Sequence, residues 1–284
     1  MSKIKTQLHI FWQLIKSLQT GLLLATGLAG YMTARCPATH VGTLLGLAGS
    51  LFLAISGSTV LNMWYDRDID AQMKRTANRP LPSGRISPRA ALLLGSLLSV
   101  LGVGWALVVA PLYGLIVFAG LFFDVVIYTM WLKRRTAWSI VWGGISGGMP
   151  ILAGRVLGLG ELDWVGLVLA LAVLLWIPTH ILTFSIRRFD DYQRAGIPTF
   201  PSKYGFRATQ AIIAASSLAA ALAIGVAGVG IGVTWGYLRV LVLLSSGLLG
   251  LAIASLARPS DKVNFGLFKY ASLYMLSAML LLAI

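Results

Sequence analysis

Charge is scarce in this 284-residue chain: Asp, Glu, Lys and Arg make up 11% of it, against 57% hydrophobic residues. A soluble domain carries about 25% charge, so this composition excludes one. Acidic residues are scarcest, nine against 23 Lys and Arg, and the net charge is +14. One cysteine, Cys36, excludes a disulfide framework and a cysteine metal site. The N-terminal Met-Ser-Lys-Ile-Lys lacks a cleavable signal pattern, so the apolar run behind it reads as a first span. No stretch reads as a low-complexity linker or a disordered tail. The positive charge does not indicate nucleic acid, because it sits in short loops between apolar runs. Basic loops of that kind set topology and attract anionic lipid headgroups or phosphorylated substrates.

What is present is a series of apolar runs of about 20 residues, the length that crosses a bilayer as helix. Nine spans are predicted: 10–34, 41–65, 88–109, 112–131, 137–157, 164–186, 207–230, 236–256 and 264–283. The expected fold is an all-α polytopic membrane bundle, with residues 1–284 as one integral domain. With nine spans, eighteen of the 23 basic residues fall on one side, while Arg35, Arg155 and Arg239 fall on the other. The positive-inside rule then puts the N-terminus in the cytoplasm and the C-terminus outside. Two polar loops, 66–87 and 187–206, follow spans two and six, so both emerge on the cytoplasmic side. This spacing resembles a weak internal duplication with parallel halves.

Five of the nine acids lie in those two loops: Asp66, Asp68, Asp70, Asp190 and Asp191. Carboxylates at helix mouths in so apolar a chain usually mark function. Asn62, Asp66 and Asp70 are spaced i, i+4, i+8, which puts them on one helix face. Two carboxylates and an amide there suit Mg²⁺, and the basic run after them suits the phosphate oxygens that complete its shell. The competing reading is a set of solvated ion pairs. Asp68 lies about 200° around the helix from Asp66 and either pairs with Arg67 or Lys74 or acts as a ligand.

In the second loop, the adjacent Asp190 and Asp191 repel one another unless Arg187, Arg188 or a metal relieves them. Gly196, Pro198 and Pro201 end any helix there. A second Mg²⁺ would let two metals hold one diphosphate between the loops. Lys133-Arg134-Arg135, after span four, either reaches the same diphosphate or only fixes topology. His180 lies inside span six, on nearly one stripe with Arg187 and Asp191. It is either a hydrogen-bonding partner for a neighbouring helix or a ligand deep in a cavity. His9 and His40 lie near span ends and read as interfacial.

Asn62-x₃-Asp66-x₃-Asp70 resembles the first motif of the UbiA-type intramembrane prenyltransferases. The run from Tyr65 through Arg79-Pro-Leu-Pro-Ser-Gly84 to Pro88 resembles the protoheme IX farnesyltransferase (haem O synthase) branch. So do Arg188-Phe-Asp-Asp191-Tyr-x₂-Ala-Gly196-x-Pro198-x₂-Pro201 and Tyr128-Thr-x-Trp-Leu-Lys133-Arg-Arg-Thr136. The resemblance implies nine helices around a cavity open toward the membrane. It implies Asn62, Asp66 and Asp70 as the first Mg²⁺–diphosphate motif and Asp190 and Asp191 as the second. Arg67, Lys74, Arg79 and Lys133 would contact the phosphates, with Arg187 beside them, and His180 matches a histidine of the haem branch. The chain departs from the branch at Pro178-Thr-His180-Ile-Leu, where Pro-Pro-His-Phe-Trp is usual. It also departs at Arg155, where Trp is usual.

The expected reaction is Mg²⁺-dependent transfer of a farnesyl group from an isoprenyl diphosphate to haem B. The same diphosphate chemistry on a quinone precursor or another aromatic or polar acceptor is the alternative. A secondary transporter is a third reading. Its binding carboxylates would lie at the bilayer midplane, and these lie at cytoplasmic mouths.

Overall fold

Backbone polar groups in lipid must bond within the chain, and long apolar runs do that as helices. The computed structural model describes residues 3–34 and 40–284, and no strand occurs among them. Arg35 and Cys36 lie outside the described residues. The helices run α1 (Lys3–Leu14), α2 (Ser17–Thr33), α3 (Val41–Tyr65), α4 (Arg67–Gln72), α5 (Pro88–Val109) and α6 (Pro111–Phe122). A π-helix, Phe123–Leu132, continues α6. Then come α7 (Ser139–Leu159), α8 (Trp164–Arg187), α9 (Phe189–Arg194), α10 (Phe200–Ile231), α11 (Trp235–Ala257) and α12 (Asp261–Ala283).

Among the described residues, eight helices are long and apolar enough to cross a membrane, with α6 and the π-helix joined as one. The first predicted span is interrupted. Lys16 takes a left-handed conformation (φ 45°, ψ 58°) that separates α1 from α2. This leaves α2 with 17 residues, about 26 Å of helix. The seventh predicted span, from 207, is preceded by a short helical segment from Phe200, and Gly205, whose backbone is not helical (φ 81°, ψ 166°), separates the two.

α3 packs most extensively on α5, and α8 on α10, while α7 lies against α2, α6 and α8. The two halves share a pattern. A long helix, α3 or α8, is followed after one residue by a six-residue helix, α4 or α9. Where α2 crosses α7 the backbones touch. A Cβ on Gly154 would collide with the Gly27 carbonyl, and one on Gly30 with that of Ile151. Glycine at such crossings is what lets membrane helices approach closely.

Between α2, α3, α6, the π-helix, α7, α8 and α12 lies a cavity of about 720 Å³ with mostly apolar walls. Its polar lining includes Ser58, Asp124, Tyr128, His180 and Ser272.

Candidate active site

The first acidic motif sits where α3 becomes α4. Asp66 leaves helical geometry (φ −85°, ψ 5°), yet the backbone bonds Asp66 N to Asn62 O and Asp70 N to Asp66 O persist. The i, i+4, i+8 register therefore survives the bend. Asn62, Asp66 and Asp70 are all buried, with Asp66 only 1% exposed.

A buried charge needs a partner, and each carboxylate has one. Asp66 Oδ2 accepts from Lys133 Nζ, and Asp70 Oδ2 accepts from Arg79 at 2.7 Å. The other Asp66 oxygen, Oδ1, is buried without a hydrogen-bond donor. Arg134 lies 3.6 Å from it, too far for a hydrogen bond. A metal ion fits such an oxygen, and a hard oxygen donor set suits Mg²⁺. No group of three His, Cys, Asp or Glu is gathered for a metal among the described residues.

Asn62 joins three elements. Its Oδ1 accepts from Lys16 at 3.3 Å, and its Nδ2 donates to Thr129 Oγ1 at 2.8 Å. Lys16 carries no local sequence signal for this place, which follows from the break between α1 and α2. Asp68 is exposed and forms a two-pronged pair with Arg134 at 2.7 Å. That guanidinium holds its carboxyl below the usual carboxylate range. The partner is Arg134, and neither Arg67 nor Lys74, the partners expected for Asp68, forms that pair.

The second acidic loop meets the first through apolar side chains. Ile69 and Met73 cluster with Ala195 and Ile197, and Tyr192 packs against them. Within that loop Asp191 is buried and Asp190 exposed. Between Arg187 and Asp191 the chain bends at Arg188 (φ −111°, ψ 27°), while the bonds Arg188 N to Phe184 O and Tyr192 N to Arg188 O persist. Asp191 is carried by α9.

Several expected phosphate contacts point elsewhere. Arg67 donates to the Trp64 carbonyl at 2.7 Å, and its guanidinium lies 5.5 Å from the Trp64 ring. Arg187 lies 3.6 Å from the Phe265 ring centre. Lys74 is exposed. Lys133 and Arg79 are the expected cations that touch the carboxylates.

The π-helix explains how Lys133 arrives there. Bonds to the fifth residue, such as Lys133 N to Tyr128 O at 2.8 Å, widen the turn. Thr129 donates to the Asp124 carbonyl at 2.7 Å. Tyr128 lines both the large cavity and a smaller cleft that Lys133 and Tyr192 also line, so its ring lies between the two.

His180 is sandwiched between Trp176 (5.0 Å) and Phe268 (4.6 Å) in the cavity wall, and its Nδ1 shares a 3.1 Å hydrogen bond with Ser272. Arg155 is buried outside the cavity lining. It donates to Asp163 at 2.7 and 2.8 Å and to the Thr33 carbonyl at 2.7 Å.

The sequence pattern of the UbiA prenyltransferase family matches residues 23–276. The chain is 42% identical over 224 residues to the protoheme IX farnesyltransferase of Archaeoglobus fulgidus, covering 78% of this chain and 77% of that one. Among solved structures, its fold is similar to one described in work on digeranylgeranylglyceryl phosphate synthase, with TM-score 0.82 and 19% identity over 98% of both chains. It is also similar to a UbiA homolog from Archaeoglobus fulgidus bound to GPP and Mg²⁺. There the TM-score is 0.74 at 14% identity, over 97% of this chain and 100% of that one.

Proposed function

The chain belongs to the UbiA prenyltransferase family, and from that membership we propose that it transfers a farnesyl group from farnesyl diphosphate to haem B, with Mg²⁺ as cofactor. It is an intramembrane prenyltransferase. We read it as one integral domain of the cell membrane, with loops 66–87 and 187–206 on the cytoplasmic side. The observation that carries the proposal is a pair of buried carboxylates, Asp66 and Asp70, each joined to a cation, at the end of a helix, α3, that also lines a 720 Å³ apolar chamber.

Asp66 and Asp70 would hold Mg²⁺ from the first loop, and Asp191 from the second, with Asp190 at the rim. Asn62 would orient the group through Lys16 and Thr129. When bound, Mg²⁺ supplies positive charge against the departing diphosphate. Lys133 and Arg79 bind the phosphate oxygens and are already aimed at the carboxylates, so little reorganisation accompanies charge development. Arg67, Lys74 and Arg187 would reach the phosphates only after changing rotamer. The apolar walls hold the prenyl tail and keep bulk water from the allylic cation. His180, stacked and exposed to the chamber, is the group we assign to the acceptor, beside its iron.

Purified protein with farnesyl diphosphate, Mg²⁺ and a panel of acceptors tests this. Farnesylated haem is the expected product. Prenylation of a quinone precursor in place of haem would reassign the acceptor, and no Mg²⁺-dependent diphosphate release from any mixture would reject the enzyme reading.

A further inference from the structure

Among the described residues, Asp124 is the only carboxylate lining the large cavity, and the diphosphate chemistry does not use it. It is the second residue of the π-helix, half-buried, with Oδ2 accepting from Ser58 Oγ at 2.5 Å. No ion pair forms at Asp124 among the described residues, and its Oδ1 accepts no hydrogen bond there. Asp66, Asp68, Asp70 and Asp163 each have an Arg or Lys. The charged and titratable groups that sense Asp124 are Lys16, beyond ion-pair distance, and the Tyr128 phenol. A carboxylate facing a hydrocarbon-walled space carries a solvation cost that one hydroxyl does not offset, and intramembrane carboxylates of this kind mark function.

Transfer to an alkene-bearing acceptor also needs a base. The C1–O bond of the prenyl diphosphate breaks, and its electron pair leaves with the diphosphate. The vinyl π pair of the acceptor forms the new C–C bond to C1, which moves the positive charge to the neighbouring acceptor carbon. A water oxygen closes that centre by forming a C–O bond, and the water must then lose a proton. Nothing is oxidised or reduced. We propose that Asp124 is the base that takes this proton on its Oδ1, with Ser58 holding the carboxylate in place.

The inference rests on the prenyl-transfer reading above. Tyr128 is a neutral phenol and a poor acceptor of protons. His180 is stacked on two rings and bonded to Ser272. The carboxylic acid formed on Asp124 returns its proton to solvent before the next turnover.

The test compares wild type with Asp124→Asn and Asp124→Glu in farnesyl diphosphate, Mg²⁺ and haem B, over a range of pH. Removal of a general base typically costs about 10²–10⁴ in rate. The Asn variant should therefore lose roughly a hundredfold or more in kcat, with KM for farnesyl diphosphate within about twofold. The acidic limb of the wild-type pH profile should vanish in Asn, and Glu should recover part of the rate. An Asn variant with wild-type kcat and an unchanged profile overturns the assignment. So does a loss that appears as a raised KM for farnesyl diphosphate, which would move Asp124 to the phosphate site. If the wild type prenylates a different acceptor, the haem reading fails. The Asn-to-wild-type ratio on that acceptor then decides Asp124, with the proton coming from a ring carbon instead of water.

Discussion

Lys133, just past the π-helix, donates its ammonium to Asp66, just past α3 and 67 positions earlier in the chain. Burial works against the Lys133 charge, but attraction from the Tyr128 oxygen and Asp66 outweighs it, and the pKa is raised. The ammonium is therefore charged over the whole working range. Lys133→Ala should lower kcat/KM for the prenyl diphosphate roughly a hundredfold, a loss of about 2.7 kcal/mol. Asp66→Ala and Asp70→Ala should abolish turnover in protein that remains folded in detergent. Steady-state kinetics alongside thermal unfolding separates these outcomes, and near-normal turnover in either Ala variant would remove the carboxylates from the chemistry.

Arg79 and Arg67 lie in the same loop and differ in direction. Arg79 bonds to buried Asp70, whereas Arg67 lies against Trp64 at the surface. Arg79→Ala should cost at least about tenfold in kcat/KM, consistent with loss of one charge-assisted hydrogen bond. Arg67→Ala should stay within about threefold. The reverse order would show that Arg67 swings inward during the reaction.

No protein-only cage of three acidic or soft ligands is gathered among the described residues. Mg²⁺ should therefore bind well only when a diphosphate supplies further oxygens. Calorimetry should detect Mg²⁺ binding with an unreactive prenyl diphosphate analogue present and little without it. Chelation should stop the reaction, and added Mg²⁺ should restore it. Tight Mg²⁺ binding to the protein alone would contradict this.

At the opposite end of α7, Arg155 holds Asp163 and lowers its carboxyl pKa below the ordinary 3.8. A lowered carboxylate pKa means the stabilisation is complete above the ordinary value and lost as pH falls through the folded one. Asp163→Asn, which leaves buried Arg155 without a counter-charge, should cost about 2 kcal/mol at neutral pH. Its melting temperature should then vary less than wild type below about pH 5. Identical acid profiles in the two proteins would mean the pair contributes nothing.

The membrane class, most helix positions and the Asn62–Asp66–Asp70 register followed from sequence, because each depends on local pattern. Apolar run length fixes a span, and backbone bonds four residues apart hold a face even through the bend at Asp66. The break at Lys16 was not legible, since a left-handed lysine between two apolar stretches leaves no periodic trace. Nor was the π-helix. In an α-helix at about 100° per residue, Asp124 and Lys133 would face opposite ways. With bonds to the fifth residue, nine positions make roughly two turns and bring them to one side. That widened turn brings Lys133 to Asp66 and leaves Asp124 facing the chamber. By itself the sequence determined which groups were available for the chemistry. Only tertiary packing decided which of them meet, because Arg67 and Arg187 found aromatic rings while Lys16, Arg79 and Lys133 found the buried motif.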